Sequence, residues 1–378
     1  MSAALGVLGG GQLGRMMAQA AARLDTRFRF WDPSEDACAA PFGEHLRAPY
    51  DDPDAARRFC EGLDAATYEF ENIPADTARA IAERVPLRPS ARSIELTQDR
   101  LTEKNFLRDA GATPAPFAPV ASAVELDAAL ASLGRPAVLK TRRFGYDGKG
   151  QAVIRRDADL PAARQLATSA PCVLESFIDF TRELSVVAVR TTTGDVATYP
   201  VTENIHAGGI LRASIAPAAG RPRPDADGAT DIAVRIAEAL DHVGALCVEL
   251  FDTPAGLLVN EIAPRVHNSG HWTIDATPCS QFENHVRAVL GMELGDASAT
   301  APAVMLNLIG DLPGQDDVAA IDPDARLHLY GKAPRPGRKV GHITLVGDRL
   351  AERAQRLADL PGVHAPSVSS AAERLRLN

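Results

Sequence analysis

The sequence predicts an α/β fold in three consecutive parts, α+β taken as a whole: a parallel-sheet domain at 1–95, a larger mixed domain at 96–295 and a small β-rich domain at 296–378. Three observations support this. Over the first ninety residues, short apolar runs alternate with stretches of helical spacing, the pattern of a parallel sheet covered by helices. The middle holds isolated strand-like runs, a glycine-rich loop at 145–150 and an apolar hairpin at 245–262. Past Gly295 the apolar runs are short and strand-like again. With domains of about 100–200 residues, a chain of 378 residues has room for two or three.

Taken in order, residues 5–8 are a first strand, followed by a glycine loop and a helix over 12–22. Residues 27–31 are a second strand, ending at Asp32-Pro33, and Arg88-Pro89-Ser90 marks a boundary. Residues 93–110 have the spacing of one helix, and 112–119, with three prolines, read as a linker. Strands are expected at 137–140, 172–175 and 184–189, an exposed loop at 216–228 and a helix at 231–240. Residues 245–251 and 257–262 flank a turn.

The composition, 46% hydrophobic and 24% charged, is ordinary for a globular chain with a core of its own. A net charge of −9 argues against nucleic-acid binding, which needs a basic surface, but leaves room for local basic clusters. The five cysteines, at 38, 60, 172, 247 and 279, form no CxxC pair, so neither a disulfide framework nor a zinc site is expected. No apolar run approaches the ~18 residues of a membrane span and no leader precedes the first strand; a cytoplasmic protein with no membrane partner is expected.

Gly9-Gly10-Gly11-Gln12-Leu13-Gly14 fits GxGxxG between a strand and a helix, and Asp32 falls 18 residues past Gly14, near the ~20 expected of a ribose-binding acid. Such a turn offers backbone N–H groups and a helix N-terminus to an anion. A dinucleotide or the phosphate of another nucleotide would satisfy it, and a tight turn without ligand has the same pattern. Lys140, at the end of a strand and ahead of the loop 145–150, suits ATP phosphates, because glycine lets backbone donors approach closely. This is not a Walker A loop, since Arg143 and Gly150 stand where that pattern needs Gly and Ser or Thr. Turn chemistry alone would also allow a hairpin there.

The hairpin is more informative. With a three-residue loop at 254–256, Thr253 pairs with Leu257 and Glu249 falls opposite Glu261. Facing carboxylates destabilise a sheet. A cation between them removes the conflict, and Mg2+ prefers oxygen ligands shared with phosphates. A slipped register would instead send one Glu to solvent. Asn260-Glu261 then runs into a donor-rich segment ending at His271-Trp272. The Arg265 guanidinium suits bicarbonate or phosphoryl oxygens, whereas His267 and His271 are as readily structural. Lys332, Arg335, Arg338 and Lys339 cluster in an acidic chain, either as a solvated turn or as a trap for a 5′-phosphate.

Eight segments resemble, in order and over nearly the whole chain, the ATP-grasp superfamily, and within it the ligases that carboxylate a purine-precursor ribonucleotide. They are GGGQLGRM at 9–16, YEFENIP at 68–74, QDRLTEK at 98–104, VLKTRRFGYDGKGQ at 138–151, LESF at 174–177, ENIHAGGILR at 203–212, NEIAPRVHNSGHWT at 260–273 and YGKAPRPGRKVGH at 330–342. The resemblance implies an ATP-grasp fold behind a parallel-sheet pre-ATP-grasp domain, with a lid subdomain at about 115–178. By the same resemblance Arg100, Lys140, Gly145, Tyr146, Asp147, Gly148, Lys149, Gly150 and Gln151 hold ATP phosphates. Glu175, Ser176, Phe177 and Ile178 present backbone to adenine, Glu183 holds the nucleotide ribose and His206 lies nearby. Glu249 and Glu261 bind Mg2+, with Asn260 beside them. Gln12, Leu13 and Glu69 contact the substrate ribonucleotide, and Tyr146, Asp147, Lys149, Lys332 and Arg338 close over it. Arg265, His267, Asn268 and Ser269 shape the bicarbonate and carboxyphosphate site.

The implied activity is ATP- and bicarbonate-dependent carboxylation of the amine of 5-aminoimidazole ribonucleotide, giving ADP and phosphate through carboxyphosphate. Asp147 and Lys332 are the candidates for the amine proton, and Arg265 and His267 complete the catalytic set. No fused mutase domain follows, so the product is expected to pass to a separate mutase, and a homodimer is expected. Two rivals stand. A formate-using glycinamide ribonucleotide enzyme of the same superfamily is disfavoured by the tail and by HNSGHW at 267–272. An NAD-dependent dehydrogenase, resting on GxGxxG and Asp32, leaves the glutamate pair unexplained.

Overall fold

The computed structural model describes residues 2–145, 150–218 and 228–376. Four strands, β1 Ala3–Leu8, β2 Thr26–Trp31, β3 Glu44–Leu46 and β4 Ala65–Tyr68, form a parallel sheet in the order β3-β2-β1-β4. β1 is uncharged and buried at five of its six positions, as a central strand covered on both faces must be. Its carboxyl end opens into the glycine loop and the helix Gln12–Ala20, the edge of a parallel sheet where ligands bind.

A second, antiparallel sheet contains β5 Phe117–Val120, β6 Ala137–Thr141, β7 Gln151–Ile154 and β8 Cys172–Ser176, in the order β5-β8-β6-β7. Residues 112–119 are therefore more than a linker. Thr113 O accepts from Val259 N at 2.8 Å, and the last residues pair with β8. Pro119 is tolerated because β5 is an edge strand.

The third sheet has nine strands: β9 Arg182–Arg190, β10 Val196–Thr198, β11 Thr202–Ala207, β12 Ile210–Ala216, β13 Gly244–Thr253, β14 Gly256–Ala263, β15 Ala303–Ile309, β16 Arg326–Leu329 and β17 Lys339–Val346. Their order is β14-β13-β9-β11-β12-β15-β17-β16, with β10 beside β9. The antiparallel tail thus makes no sheet of its own, since β15 pairs with β12 and extends the middle sheet. It also carries the helices Gln315–Ile321, Leu350–Arg356 and Ala365–Arg376. One face of this sheet packs Val187, Ala245 and Met305 into the same core as Met17 and Phe282, which joins it to the parallel-sheet part.

The expected helix over 93–110 is two helices, Ala91–Thr97 and Arg100–Asp109. Asp99 makes the break. Its Oδ1 accepts from Leu101 N at 3.1 Å and Thr102 N at 3.2 Å, and Arg142 grips the carboxylate at 2.9 and 2.8 Å. A side chain that satisfies these backbone donors starts a new helix instead of continuing the old one. Ala216, expected in an exposed loop, closes β12 and is buried; residues 219–227 of that loop lie outside the described residues. All five cysteines are buried and free of disulfides. Among the described residues no helix is long and apolar enough to cross a membrane.

Candidate active site

The loop at 9–14 does receive an anion, but the chain supplies it. Glu69, which follows β4, accepts hydrogen bonds from Gly11 N and, at 2.7 Å, from Gly14 N. A Cβ at Gly9 or Gly11 would collide with the Glu69 side chain, so these glycines make room for a carboxylate. Burial pushes the Glu69 carboxyl up, and the two N–H donors pull against that. Asp32 accepts from Gly10 N at 2.7 Å and from Ser34 N at 2.8 Å. Engaged within its own loop, it is not presented to a dinucleotide ribose, and the dehydrogenase reading loses the acid it rests on.

Glu249 faces Glu261, although not by the expected count. β13 and β14 meet in a two-residue turn that pairs Thr253 with Gly256, one residue off the expected loop. A bulge beyond Leu250 shifts the ladder back, so that Glu249 pairs with Glu261 after all. Asn260 is the extra residue, and its Oδ1 is buried without a hydrogen-bond partner. Both carboxylates line the cavity, Glu261 with its side chain 40% exposed. His267 Nε2 lies 3.1 Å from Glu249 Oε1, and Arg100 Nη1 donates to Glu261 Oε2 at 2.8 Å. Burial pushes the Glu261 carboxyl up, but the Arg100 guanidinium outweighs it and holds it well below the usual carboxylate range. Among the described residues no group of three or more His, Cys, Asp or Glu is arranged to hold a metal. Two facing carboxylates and the orphaned Asn260 oxygen instead fit Mg2+, which takes one or two carboxylates and completes its shell with phosphates and water.

Lys140, the penultimate residue of β6, lies beside this pair and donates to Glu175 Oε2 at 3.0 Å; Lys104 Nζ lies 3.3 Å from the same oxygen. The Glu175 side chain is thus a buried counter-ion for two lysines, which hold its carboxyl low against the upward push of burial. Gln151 and Phe177 line the cavity, whereas Gly150, Ser176 and Ile178 do not. Glu183 Oε2 and His206 Nδ1 are 2.8 Å apart on the wall; burial lowers the imidazole, and the bond to Glu183 more than reverses that.

The opposite wall is assembled from distant segments. Lys332 Nζ donates to Gln12 Oε1, tying the tail to the glycine loop, with Leu13 and Glu69 adjacent. Arg265 pairs with Glu71 at 2.6 Å, and Asn268 exchanges amide bonds with Asn307 at 3.0 and 2.6 Å. Ser269 is buried behind His267 and does not line the cavity. Arg338 donates to Ala333 O at 3.2 Å and stays off the wall, which its neighbour Lys339 joins. His271 is structural: fully buried, it packs on Phe282, Tyr330 and His342. Tyr146, Asp147, Gly148 and Lys149 lie outside the described residues. The result is one cavity of about 690 Å³, lined from all three parts of the chain.

Three family models match the chain. Residues 2–98 match the ribonucleotide synthetase preATP-grasp domain, 105–282 the ATP-grasp domain and 303–356 the phosphoribosylaminoimidazole carboxylase C-terminal domain. The N5-carboxyaminoimidazole ribonucleotide synthase of Pseudomonas aeruginosa is 48% identical over 361 residues, 96% of this chain and 98% of that protein. The chain belongs to the N5-carboxyaminoimidazole ribonucleotide synthase family. The crystal structure of the synthetase from Thermus thermophilus superposes with a TM-score of 0.89 at 48% identity, over 94% of this chain and 98% of that one. The Aspergillus clavatus synthase, solved with ADP and 5-aminoimidazole ribonucleotide, gives 0.86 at 29% identity over 99% of both chains. The enzyme is thus an ATP-grasp ligase that forms a C–N bond in purine biosynthesis, and neither the formate rival nor the dehydrogenase reading applies.

Several wall residues of the synthase went unselected in the sequence. Glu71, the partner of Arg265, and Glu103 are the clearest. Glu103 is buried, its Oε1 accepts from Ile262 N at 2.6 Å, and burial, reinforced by the Glu261 charge, pushes its carboxyl up to about 8. The signal was in the helix Arg100–Asp109, where Glu103, Lys104 and Leu107 share the buried face. A charged pair at core spacing marks an internal ion network.

Proposed function

We propose that this synthase uses ATP and bicarbonate to carboxylate the exocyclic amine of 5-aminoimidazole ribonucleotide, with Mg2+ held by Glu249 and Glu261. The observation that carries it is the joining of two kinds of wall in one cavity. The glutamate pair, Arg100 and Lys140 stand at one end, and Gln12, Glu69 and Lys332 at the other. The segment after β14 links them, for His267 touches Glu249 while Arg265 touches Glu71 of the loop that carries Glu69.

A bicarbonate oxygen attacks the γ-phosphorus; the bond to the β–γ bridging oxygen breaks and ADP leaves. The amine nitrogen then attacks the carboxyl carbon of the resulting carboxyphosphate, the C–O bond to phosphorus breaks, and phosphate and one amine proton depart. Mg2+ supplies charge neutralisation at the phosphates, and Lys140 and Arg100 add fixed positive charge there. Arg265 offers a planar fork to bicarbonate. Asp147 and Lys332 are the candidates for the amine proton; burial pushes the Lys332 ammonium down, toward the range where it can exchange one. The Glu183–His206 pair serves the nucleotide ribose, and Phe177 the adenine. The division at 1–95, 96–295 and 296–378, a cytoplasmic homodimer and transfer of the product to a separate mutase complete the proposal. Phosphate release from ATP, with substrates added singly, tests it. Full rate needs bicarbonate and 5-aminoimidazole ribonucleotide together; faster turnover with glycinamide ribonucleotide and formate overturns it.

A further inference from the structure

Lys332 stands on the loop between β16, which ends at Leu329, and β17, which begins at Lys339. A lysine stem is flexible, so the place its ammonium occupies depends on how the backbone beneath it is held. The residue at the root of the loop is held from several sides. Tyr330 is buried, its N–H donates to Val340 O at 3.0 Å, and its hydroxyl is 2.9 Å from His342 Nδ1. Its carbonyl oxygen is taken by the other end of the chain, accepting from Arg15 Nη1 at 3.2 Å.

Arg15 lies on the helix Gln12–Ala20, three residues after Gln12, so the two side chains share one face. Gln12 Oε1 accepts from Lys332 Nζ, and Arg15 serves the residue two positions before that lysine. The helix thus grips the tail at two points, once through a side chain and once through the backbone. Gly331, between the two points, is fitted to this grip. Its φ of +73° lies in the left-handed region, and a Cβ there would sit 2.5 Å from Arg15 Nη1. The guanidinium also lies 5.1 Å from the centre of the Phe42 ring, a second contact that limits its freedom. Arg15 itself does not line the cavity.

We infer that Arg15 is a positioning residue of the synthase: by holding the Tyr330 carbonyl, with Gly331 making room, it fixes the root of Lys332 and sets the ammonium beside Gln12. This rests on the reading that Lys332 serves the ribonucleotide. Arg15 stays off the wall, so its effect passes through Lys332 and not through the substrate. A hydrogen bond from a guanidinium is stronger than one between neutral groups, and a side chain held in place before its ligand arrives loses less freedom on binding.

Arg15→Met tests this, because it keeps an unbranched stem and removes the donors. The kcat/KM for 5-aminoimidazole ribonucleotide should fall about ten-fold, the lower end of what a charge-assisted hydrogen bond is worth, while KM for ATP stays within about two-fold. The deciding readout is a double-mutant cycle with Lys332→Ala. Once Lys332 is gone, losing Arg15 should cost the ribonucleotide kinetics nothing more, so the double variant should match Lys332→Ala within about two-fold. A merely structural role would add its own loss to that of Lys332→Ala. Gly331→Ala gives the same measurement by a second route, since its methyl displaces the guanidinium from Tyr330 O. It too should cost about ten-fold alone and nothing further beside Lys332→Ala. Additive losses in either cycle, an equal loss in ATP kinetics, or undiminished kcat/KM for the ribonucleotide in Arg15→Met overturns the inference. Unimpaired ribonucleotide kinetics in Lys332→Ala would instead overturn the assignment of Lys332 on which it rests.

Discussion

The two ends of the cavity are built in opposite ways. At one end Glu249 and Glu261 stand on neighbouring strands, locked opposite each other by a backbone ladder. At the other, Lys332 meets Gln12 across 320 residues of sequence, and Glu69 fills a loop 58 residues before it. The first end is rigid because hydrogen-bonded register fixes it. The second exists only while the parallel-sheet part, the middle and the tail stay packed together. Changes at the strand-built end should therefore act on the chemical step, and changes at the assembled end on the handling of one substrate.

The largest effect belongs to the strand-built end. Glu261→Gln should lower turnover by roughly 10²–10³-fold, the usual loss when a charge partner of the transition state is removed. Unfolding should stay cooperative, and unchanged turnover at saturating Mg2+ would take Glu261 out of the cation site. Next comes the assembled end. Lys332→Ala should lower kcat/KM for the ribonucleotide by about ten- to a hundred-fold, the worth of one charge-assisted hydrogen bond, and leave KM for ATP nearly intact. Weakened ATP binding with normal ribonucleotide kinetics would break the contrast between the ends. Glu71→Gln sharpens it, because Arg265 loses its counter-ion and the apparent KM for bicarbonate should shift by about ten-fold or less. Steady-state kinetics with bicarbonate varied checks this, and an unmoved KM would free Arg265 from that duty.

The smallest effect on activity is expected far from both ends. Asp322 is buried and holds Arg353 at 2.7 and 3.2 Å. Asp322→Asn should leave kcat unchanged and lower stability by about 3–5 kcal/mol, the penalty of an unpaired buried charge. Burial pushes the Asp322 carboxyl up, but Arg353 outweighs it and holds it below its ordinary value. A lowered folded value means the stabilisation is fully present above the unfolded value of about 3.9 and is lost as pH falls through the folded one. Denaturant melts should therefore show the gap between wild type and variant closing only in acid.

What was legible in the sequence follows the same division. The parallel sheet, the hairpin and the facing glutamates all rest on patterns within about a dozen residues, and period and turn chemistry expose those. Even so, the glutamate register came out through two offsetting errors, a turn one residue short and a bulge at Asn260. Neither the break at Asp99, which depends on Arg142, nor Glu69 as the anion of the glycine loop was visible. Each is decided by a partner dozens of residues away, which no local pattern encodes. For the same reason the pairing of β15 with the open edge of β12, which adds the tail's strands to the middle sheet, was not visible.

If the strand-built end activates bicarbonate by phosphorylating it, oxygen must pass from bicarbonate to phosphate. Bicarbonate labelled with 18O is supplied with ATP and 5-aminoimidazole ribonucleotide, and the released phosphate is analysed by mass. The attacking oxygen stays on phosphorus when the C–O bond breaks, so one 18O should appear in phosphate per turnover. Unlabelled phosphate, formed at the full rate of carboxylation, would rule out phosphorylation of bicarbonate.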